Sequence, residues 1–597
     1  MCQFPLEIGT LRRGFPFSLS YSIIRMKKHF LCAVLGFLAF TGTVVRSQTD
    51  NILPILRDEL GREFAILKQQ PVAPYFISYN LGDDQNVTII SSFGSLLRSD
   101  SVRTRTLLID LRVGDYQLDN THQIRTNGGF FGGSGFAAAN SRQAPIENTP
   151  EALKISLWRE TDAAYKGAKE RLEQVRTNKT IKVEEEDSSG DFSKPVNGPA
   201  KLFEPAVEMS DYFKNRSAWE EKLRNYSAVF RGQPNIYEAK AALTASIVRK
   251  YFVSTEGSEM ASNQIYVRLM IQAMAKADDG MELPLYKSYF AFKPEDLPSD
   301  EKILADIRDM LTTLQQMRTA PIVDPYTGPA ILSGGASGVF FHEIFGHRIE
   351  GHRQKNVNEG QTFKKKVGQE ILPTFLSVYF DPNQKTLDGA QLMGCYSFDD
   401  EGTKATRVDV VDHGIFKNFL MGRSPIDGFP SSNGHGRSSP GKRPVARQSN
   451  LIVTASKTVS DDSLRMMLIA ECKKTGKPYG LRFQQVEGGF TLTGRTIPNS
   501  FNVLPILVYR VYADGRPDEL VRGVDLIGTP LATFERIIAA SNKEETFNGV
   551  CGAESGWVPV SASSPSLLVR EIEVQKKDKS QERLPILTAP DTTAKNN

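Results

Sequence analysis

Three of the seven histidines in this chain lie close together, in the segment Gly338-Val-Phe-Phe-His-Glu-Ile-Phe-Gly-His-Arg-Ile-Glu-Gly-His352. His342 and His347 flank an apolar stretch, and Glu343 follows the first of them directly. Apolar residues such as Phe341 and Phe345 are four apart, which predicts a buried helix. Burying imidazoles and a carboxylate without partners is costly, and a bound metal ion removes that cost. Two imidazoles are typical zinc ligands, and a neighbouring glutamate is a typical base for a metal-activated water.

The spacing of the two histidines departs from the common zinc-protease helix, in which the ligands are four apart. On a regular α-helix a separation of five turns the two rings about 140° away from each other. A single π-turn reduces that angle to about 50°, and Gly346 is where the backbone distorts most easily. Ser333 or Ser337 is expected to cap the start of the helix. The alternative is a core helix whose histidines are satisfied by hydrogen bonds.

Several motifs along the chain resemble the TldD/PmbA family of metallopeptidases, which is also labelled "modulator of DNA gyrase". They are Ile331-Leu-Ser-Gly-Gly, the segment HEIFGHRIEGH, Asp399-Asp-Glu-Gly402 and Val550-Cys551-Gly552. The resemblance runs from about residue 50 to 575 and is strongest from about 325 onward. It implies that His342, His347 and Cys551 hold Zn²⁺ and that Glu343 is the catalytic base. Because all four residues are present, the chain resembles the catalytic type of subunit, not a type that has lost its metal.

The resemblance also implies an activity and a set of partners. We expect zinc-dependent hydrolysis of small or unfolded peptides by an activated water, inside a homodimer or a heterodimer with a related subunit. The alternative is a non-catalytic binding or scaffold subunit with a structural metal. Such a closed site needs a fourth protein ligand, for which His352 and Glu350 are candidates. In the open site, the same two residues would orient the ligands.

Charge gives no support for nucleic-acid binding, despite the gyrase label. The formal net charge is +4, and residues 1–47 contribute six basic residues against one acidic residue, so the remainder carries 4 − 5 = −1. A protein that binds nucleic acid through phosphate contacts needs an excess of basic residues. We therefore expect no nucleic-acid partner.

The first 47 residues are typical of an upstream extension followed by a secretory signal peptide. Lys27 and Lys28 precede the apolar run Phe30–Phe40, and small residues stand before Gln48. This predicts export to the periplasm or the exterior, with cleavage near Ser47. The run is too short for a permanent membrane anchor, although a short uncleaved anchor is an alternative.

Three cysteines follow the predicted leader, and an odd number cannot all pair in disulfides. A zinc-bound thiolate would explain Cys551. We expect Cys395 and Cys472 to be buried and inert.

The predicted fold is α+β. Residues 48–325 are expected to form an N-terminal mixed α/β domain with a charged linker near 176–200. Residues 326–576 are expected to form a mainly antiparallel β domain around the metal-binding helix, followed by a disordered tail at 577–597. Within the second domain, the acidic turn Asp399–Glu401 either accepts hydrogen bonds from ligand residues or is an ordinary surface turn. His435 either donates to substrate or is a solvated loop histidine.

Overall fold

The computed structural model describes residues 50–124, 142–180, 187–491, 493–495, 501–528 and 533–577. The predicted leader at 1–47 and the tail from 578 onward lie outside these ranges. The described residues fold as an α+β protein, as predicted. Within the same ranges, no helix is both long and apolar enough to cross a membrane.

The first half of the chain forms one sheet with helices packed on it. Its strands are β1 (Pro74–Ser92), β2 (Ser95–Val113), β3 (Arg142–Gln143), β4 (Lys201–Phe203), β5 (Ile236–Ser254), β6 (Glu259–Lys276) and β7 (Glu282–Ala291). They are arranged in the order β3-β2-β1-β5-β6-β4, with β7 also beside β6. The helices are α1 (Ile52–Leu67), α2 (Pro150–Thr180), α3 (Met209–Tyr212), α4 (Arg216–Ala228) and α5 (Asp300–Thr319).

The strands of this sheet are longer than the sequence predicts. Tyr75–Tyr79 and Val87–Ile90 read as separate strands, but both belong to β1. The intervening Gly-Asp-Asp does not turn, because the Asp83 carboxylate accepts hydrogen bonds from Arg103 (2.8 Å) and Arg105 (3.0 Å) on the neighbouring strand β2. Pairing across the sheet therefore outweighs the local preference of these residues for a turn.

Part of the charged linker predicted near 176–200, residues 181–186, lies outside the described ranges. Helix α2 continues to Thr180, and strand β4 begins at Lys201. Between them, the buried carboxylate of Asp191 lies 2.7 Å from His122 Nδ1 and 3.5 Å from Lys355 Nζ. Buried carboxylates need such partners, so these residues are fixed between the two halves of the chain.

The second half of the chain forms a larger, mainly antiparallel sheet, as predicted. Its strands and the short strands around it are β8 (Tyr326–Leu332), β9 (Leu376–Phe380), β10 (Thr386–Leu387), β11 (Ala390–Gln391), β12 (Val408–Asp412), β13 (Ile415–Phe416), β14 (Gly436–Arg437), β15 (Val445–Ala446), β16 (Asn450–Ala455), β17 (Tyr479–Thr491), β18 (Phe501–Tyr512), β19 (Glu519–Val521), β20 (Val524–Gly528), β21 (Ile537–Ala553) and β22 (Gly556–Lys576). The main order is β13-β12-β9-β16-β22-β20-β18-β17-β8, with β21 beside β22. The helices are α6 (Gly334–Ile344), α7 (His352–Lys355) and α8 (Asp461–Lys474).

Helix α6 lies in the core of this second domain. Phe340, Phe341 and Phe345 are completely buried, and Phe341 and Phe345 contact each other edge to face, with their ring centroids 6.4 Å apart. Burying each phenylalanine contributes about 2–3 kcal/mol. This packing fixes the position of the helix and of the polar side chains that follow these phenylalanines in the sequence.

Candidate metal centre

Helix α6 begins differently from the prediction. Ser333 stands at the N-cap position, but its hydroxyl donates to the Gln484 carbonyl (2.8 Å) instead of accepting from the helix. Glu545 on β21 replaces it, because its Oε2 accepts from the Gly335 backbone N–H (2.8 Å). Ser337 is inside the helix and contacts Ser564. A carboxylate from a distant strand thus caps the helix, and neither predicted serine does.

The predicted π-turn is wrong. Helix α6 ends at Ile344, and residues Gly346–Ile349 form a 3-10 turn. His342 therefore lies in the last turn of the α-helix, while His347 lies on the 3-10 turn beyond it. The Arg348 guanidinium donates to the carbonyls of Glu343 (3.1 Å) and Ile344 (3.0 Å), which satisfies acceptors left open at the helix end.

The predicted distortion at Gly346 is present, because the 3-10 turn begins there, and only its type differs from the prediction. Glycine is also required at this position for packing. A side chain at this position would meet the Gln448 side chain, because its Cβ would lie 2.0 Å from Gln448 Oε1. The Gln448 amide in turn donates to the His342 carbonyl (3.1 Å). Glycine therefore allows Gln448 to pack against the turn and to fix the backbone of the first histidine.

His342, His347 and Cys551 come together although Cys551 lies on β21. Cys551 Sγ is 3.3 Å from His342 Nε2 and 3.3 Å from His347 Nε2. All three residues are buried, and each can place a ligand atom within 4.8 Å of the others. A tetrahedral zinc ion with Zn–S of about 2.3 Å and Zn–N of about 2.0–2.1 Å separates sulfur and nitrogen by about 3.5 Å. The donor atoms therefore fit a zinc ion in spacing and in chemical type.

A buried arginine that no sequence motif indicates holds the cysteine. Arg447 Nη2 donates to Cys551 Sγ (3.1 Å) and to the Cys551 carbonyl (2.7 Å), and its Nη1 donates to Ser555 Oγ (2.9 Å). A cation beside the sulfur favours the thiolate, which is the form that binds metal. The sequence does not indicate Arg447 as a site residue, because only the fold brings it to the cysteine.

Glu350 orients His347 from the side opposite the sulfur. Its Oε2 lies 3.2 Å from His347 Nδ1 and accepts from Arg353 Nε (2.8 Å), while Arg447 Nε lies 3.4 Å from Oε1. A carboxylate on one ring nitrogen fixes the tautomer in which the other nitrogen is free to bind a metal. Glu350 therefore acts on His347, as predicted for an orienting residue, and its position does not suit a fourth ligand.

The electrostatics of this group favour a positive charge at the cluster. Burial opposes ionisation of Glu350, but His347 and Arg353 outweigh burial and lower its pKa to about 2. Burial likewise opposes protonation of His347, but Cys551 and Glu350 outweigh it and raise its pKa to about 10. Two buried negative groups on either side of the ring thus favour a positive charge at this position.

Glu343 is a buried carboxylate that lacks hydrogen bonds. Its side chain is fully buried, and within the described ranges neither oxygen accepts a hydrogen bond. His347 Nε2 lies 3.9 Å from its Oε2. An unsatisfied buried carboxylate is costly, so a function that supplies a partner is expected at this position. A water or substrate group at the cluster would be such a partner.

His352 lies outside the cluster. It begins the separate helix α7, and its Nε2 contacts Glu554 Oε1. In the acidic turn, Asp399 accepts from the backbone N–H groups of Thr403 and Gly436 and so fixes a loop of the fold. Cys472 is buried as predicted, whereas Cys395 is only half-buried.

His435 is buried and fully hydrogen-bonded, whereas the sequence suggested either a solvated or a substrate-binding residue. Its Nε2 lies 3.1 Å from Ser449 Oγ, and its Nδ1 lies 3.1 Å from Asn433 Oδ1. Burial and the neighbouring Arg437 lower the pKa of His435 to about 3, so the ring is neutral. His435 supports the loop that carries it.

Residues 325–576 match the family model of the PmbA/TldA metallopeptidase C-terminal domain, and this range contains the whole cluster. Together with the fold and the ligand set, the match defines a metallopeptidase-type domain. This part of the chain is similar to the TldD/PmbA family, and curated TldD homologues match the chain as well.

The curated relatives have low sequence identity to this chain. A metalloprotease of Archaeoglobus fulgidus is 27% identical over 40% of this chain and 51% of its own length. A metalloprotease TldD homolog of Haemophilus influenzae is 25% identical over 57% of this chain and 68% of its own length. A zinc metalloprotease TldD homolog of Saccharolobus solfataricus is 24% identical over 60% of this chain and 76% of its own length. The match thus spans only about half of the Archaeoglobus relative.

The fold resembles that of solved structures over most of the chain. The crystal structure of TldE from Thermococcus kodakarensis superposes with a TM-score of 0.56 and 12% identity, covering 88% of this chain and 99% of that one. At this identity the comparison shows a shared fold only.

Proposed function

We propose that the protein is a zinc-dependent peptidase in which His342, His347 and Cys551 hold the metal and Glu343 is the general base. The single observation that supports this most is the meeting of three zinc-type donor atoms beside a buried carboxylate that accepts no hydrogen bond from the described residues. The names of the relatives, one of which includes zinc, agree with this proposal.

The roles of the residues follow from their contacts. Zinc bound at the three donors would polarise a peptide carbonyl and make a water molecule more acidic. Glu343 accepts a proton from that water and returns it to the leaving amine. Glu350 keeps His347 Nε2 directed at the cluster, and Arg447 holds the Cys551 sulfur in place by a hydrogen bond.

The surroundings of the cluster favour an open, catalytic site over a structural one. A structural zinc site needs four protein ligands. The two candidates for a fourth ligand have other partners, since Glu350 binds the far nitrogen of His347 and His352 binds Glu554. The burial of all three ligands restricts access, which supports small or unfolded peptides as substrates.

Metal analysis beside a peptide-cleavage assay tests the proposal. We expect about one zinc ion per chain, cleavage of an unstructured peptide, loss of cleavage with a chelator and recovery on adding zinc. A protein that binds zinc tightly but cleaves no member of a random peptide library would favour a scaffold subunit with a structural metal. A protein without zinc that still cleaves would contradict the proposed mechanism.

Two further proposals concern the context of the enzyme. We propose a dimer, either of identical chains or with a related subunit, which light scattering after co-expression would measure. We also propose export, from the charged and apolar pattern of residues 26–47. Amino-terminal sequencing of the protein from fractionated cells tests it, and an intact start at Met1 or Met26 would contradict it.

A further inference from the structure

A cavity of about 540 Å³ lies between the two sheets, and the proposed peptidase mechanism does not use it. One wall comes from strands β1, β5, β6 and β7 of the first domain. The opposite wall comes from residues between 382 and 400 and from the loop 437–442 of the second domain. The cavity is therefore built by residues from both halves of the chain, and its size suits a ligand of a few amino acids.

Cationic side chains outnumber carboxylates in the lining. The cations are Lys250, Lys293, Lys385, Arg437 and Lys442, and the carboxylates are Glu204, Asp399 and Asp400. Asp400 already pairs with Lys250 at 2.7 Å. The Asp399 carboxyl already has partners, because its oxygens accept hydrogen bonds from the backbone N–H groups of Thr403 (2.8 Å) and Gly436 (2.9 Å). The cavity thus has a positive balance and favours an anion.

Arg437 is the most informative of these cations. It is only 4% exposed, yet within the described ranges no carboxylate lies within 4.0 Å of it. Its Nη1 donates to the Gln448 carbonyl, and its guanidinium lies 4.6 Å from the centre of the Tyr396 ring. Burying a cation without a counter-ion is costly. Its remaining N–H groups match the two oxygens of a carboxylate, which binds arginine side by side.

The rest of the lining suits a peptide more than a simple ion. Aromatic side chains form much of the wall; they include Tyr251, Phe252, Tyr266, Phe290 and Phe292. Asn80 and Gln264 add amide groups that can bind a peptide backbone. An apolar wall with a few polar groups and one buried cation is typical of a site for an apolar residue that ends in a carboxylate.

The cavity is also connected to the metal centre through the backbone. Arg437 lies on β14, which pairs with β15. Arg447 and Gln448 are the two residues that directly follow β15 in the sequence. Arg447 donates to the Cys551 sulfur, while the Gln448 carbonyl accepts from Arg437. The segment Arg447–Gln448 therefore links the two sites. Arg437, which lines the cavity, contacts Gln448, and Arg447 contacts the cluster.

We propose that this cavity binds the carboxyl-terminal end of a peptide, with Arg437 pairing with the terminal carboxylate and the aromatic wall holding the last side chain. The inference rests on the proposed function, because it assumes that peptides are the ligands of this protein. It names a recognition site that would select peptides by their free carboxyl end.

Equilibrium binding tests the inference separately from hydrolysis. Calorimetry on the full chain carrying Glu343→Gln would use the tripeptide Ala-Ala-Phe as the free acid and as the amide. We expect the acid to bind at least about tenfold more tightly, the range of a charge-assisted hydrogen bond. Adding Arg437→Gln should remove the difference between acid and amide. The matched control is Arg407→Gln, an exposed arginine outside the cavity, which should preserve the difference.

Several outcomes would overturn the inference. Equal affinity of the acid and the amide would do so, as would an unchanged difference in the Arg437→Gln protein. If N-acetylphenylalanine bound as tightly as the tripeptide, the ligand would be a small aromatic acid and not a peptide end. If Arg437→Gln failed to fold, Lys442→Gln should reduce the preference for the acid, and an unchanged preference there would also overturn the inference. Because the measurement uses a variant that does not need to hydrolyse, it stands even if the chain proves not to be a peptidase.

Discussion

The metal-ligand cluster and the loop that carries His435 both bury histidine in the second domain, but their surroundings differ in charge. His347 lies between the Cys551 sulfur and the Glu350 carboxylate, and its pKa is raised to about 10. His435 lies beside Arg437 and contacts Ser449 and Asn433, and its pKa is lowered to about 3. Burial acts in the same direction on both rings, so the neighbouring charges make the difference. The surroundings of His347 thus favour a positive charge, whereas those of His435 favour a neutral ring that only makes hydrogen bonds within the fold.

Removing the sulfur should have the largest effect. We expect Cys551→Ala to weaken zinc binding by at least about 100-fold and to abolish turnover, because two imidazoles are too few ligands for a tight zinc site. Zinc content after dialysis against a weak chelator measures this. Cys472→Ala is the matched control, since Cys472 is also buried but lies on α8, in a separate apolar cluster. Full zinc occupancy in the Cys551→Ala protein would remove Cys551 from the ligand set.

Replacing the base should separate catalysis from metal binding. We expect Glu343→Gln to keep the zinc and to reduce kcat by about 10²–10⁴-fold, the usual contribution of a general base. The measurement pairs zinc content with turnover of a fluorogenic peptide. Glu544→Gln on β21 serves as the control, because Glu544 is a half-buried glutamate outside the cluster. Loss of zinc in Glu343→Gln would instead make Glu343 a ligand.

Replacing the orienting carboxylate should have an intermediate effect. We expect Glu350→Gln to weaken zinc affinity by about 10–100-fold, since the amide no longer neutralises Arg353 and Arg447 or fixes His347 as strongly. Competition with a chromogenic chelator measures the affinity. Glu519→Gln, which changes a partly exposed ion pair with Arg510, should leave it unchanged. An unchanged affinity in Glu350→Gln would contradict the orienting role.

The smallest effect concerns His435 and the dependence of stability on pH. Its folded pKa is about 3, below the unfolded value of about 6.5. Between these values the unfolded chain binds a proton that the folded chain does not, so this histidine makes stability fall as pH falls from about 6.5 to about 3. The slope is up to about 1.4 kcal/mol per pH unit. We expect His435→Gln to make the free energy of unfolding, measured with a chemical denaturant, depend less steeply on pH over this range. The zinc content at neutral pH should not change.

The exposed His413 provides the control for this pH measurement. It lies on the surface, with 67% of its side chain exposed. His413→Gln should leave the dependence of the unfolding free energy on pH the same as in the unchanged protein. A slope that is the same in the His435→Gln protein and in the unchanged protein would show that His435 titrates normally in the folded state.

Local patterns in the sequence predicted the helices and the type of fold better than the lengths of the strands. Apolar periodicity predicts helices at Asp50–Leu67, Leu153–Val175 and Ser299–Thr319, and the ends of α1, α2 and α5 differ from these bounds by five residues or fewer. The strand β1 reads as two strands, because the ion pairs of Asp83 with Arg103 and Arg105 cannot be read from spacing. Pairing between distant strands decides such cases, and it has no local signal.

The site also has some residues that local sequence patterns indicate and others that only distant contacts bring together. The motif around His342 and Glu343 carries its own signal, and the resemblance to the family singled out Cys551. Arg447 and the cap from Glu545 depend on contacts across the domain, so no spacing in the chain indicates them. The shape of the turn at Gly346 also depends on Gln448, which packs against it from 102 residues further along the chain, since 448 − 346 = 102.

X-ray absorption spectroscopy of the zinc-loaded protein tests the central claim most directly. We expect a coordination shell with one sulfur at about 2.3 Å and two imidazole nitrogens at about 2.0–2.1 Å, plus one light atom from water. The Cys551→Ala protein, loaded with excess zinc, should lose the sulfur signal. A spectrum of the unchanged protein that contains only nitrogen and oxygen neighbours would contradict the claim that His342, His347 and Cys551 form one metal centre.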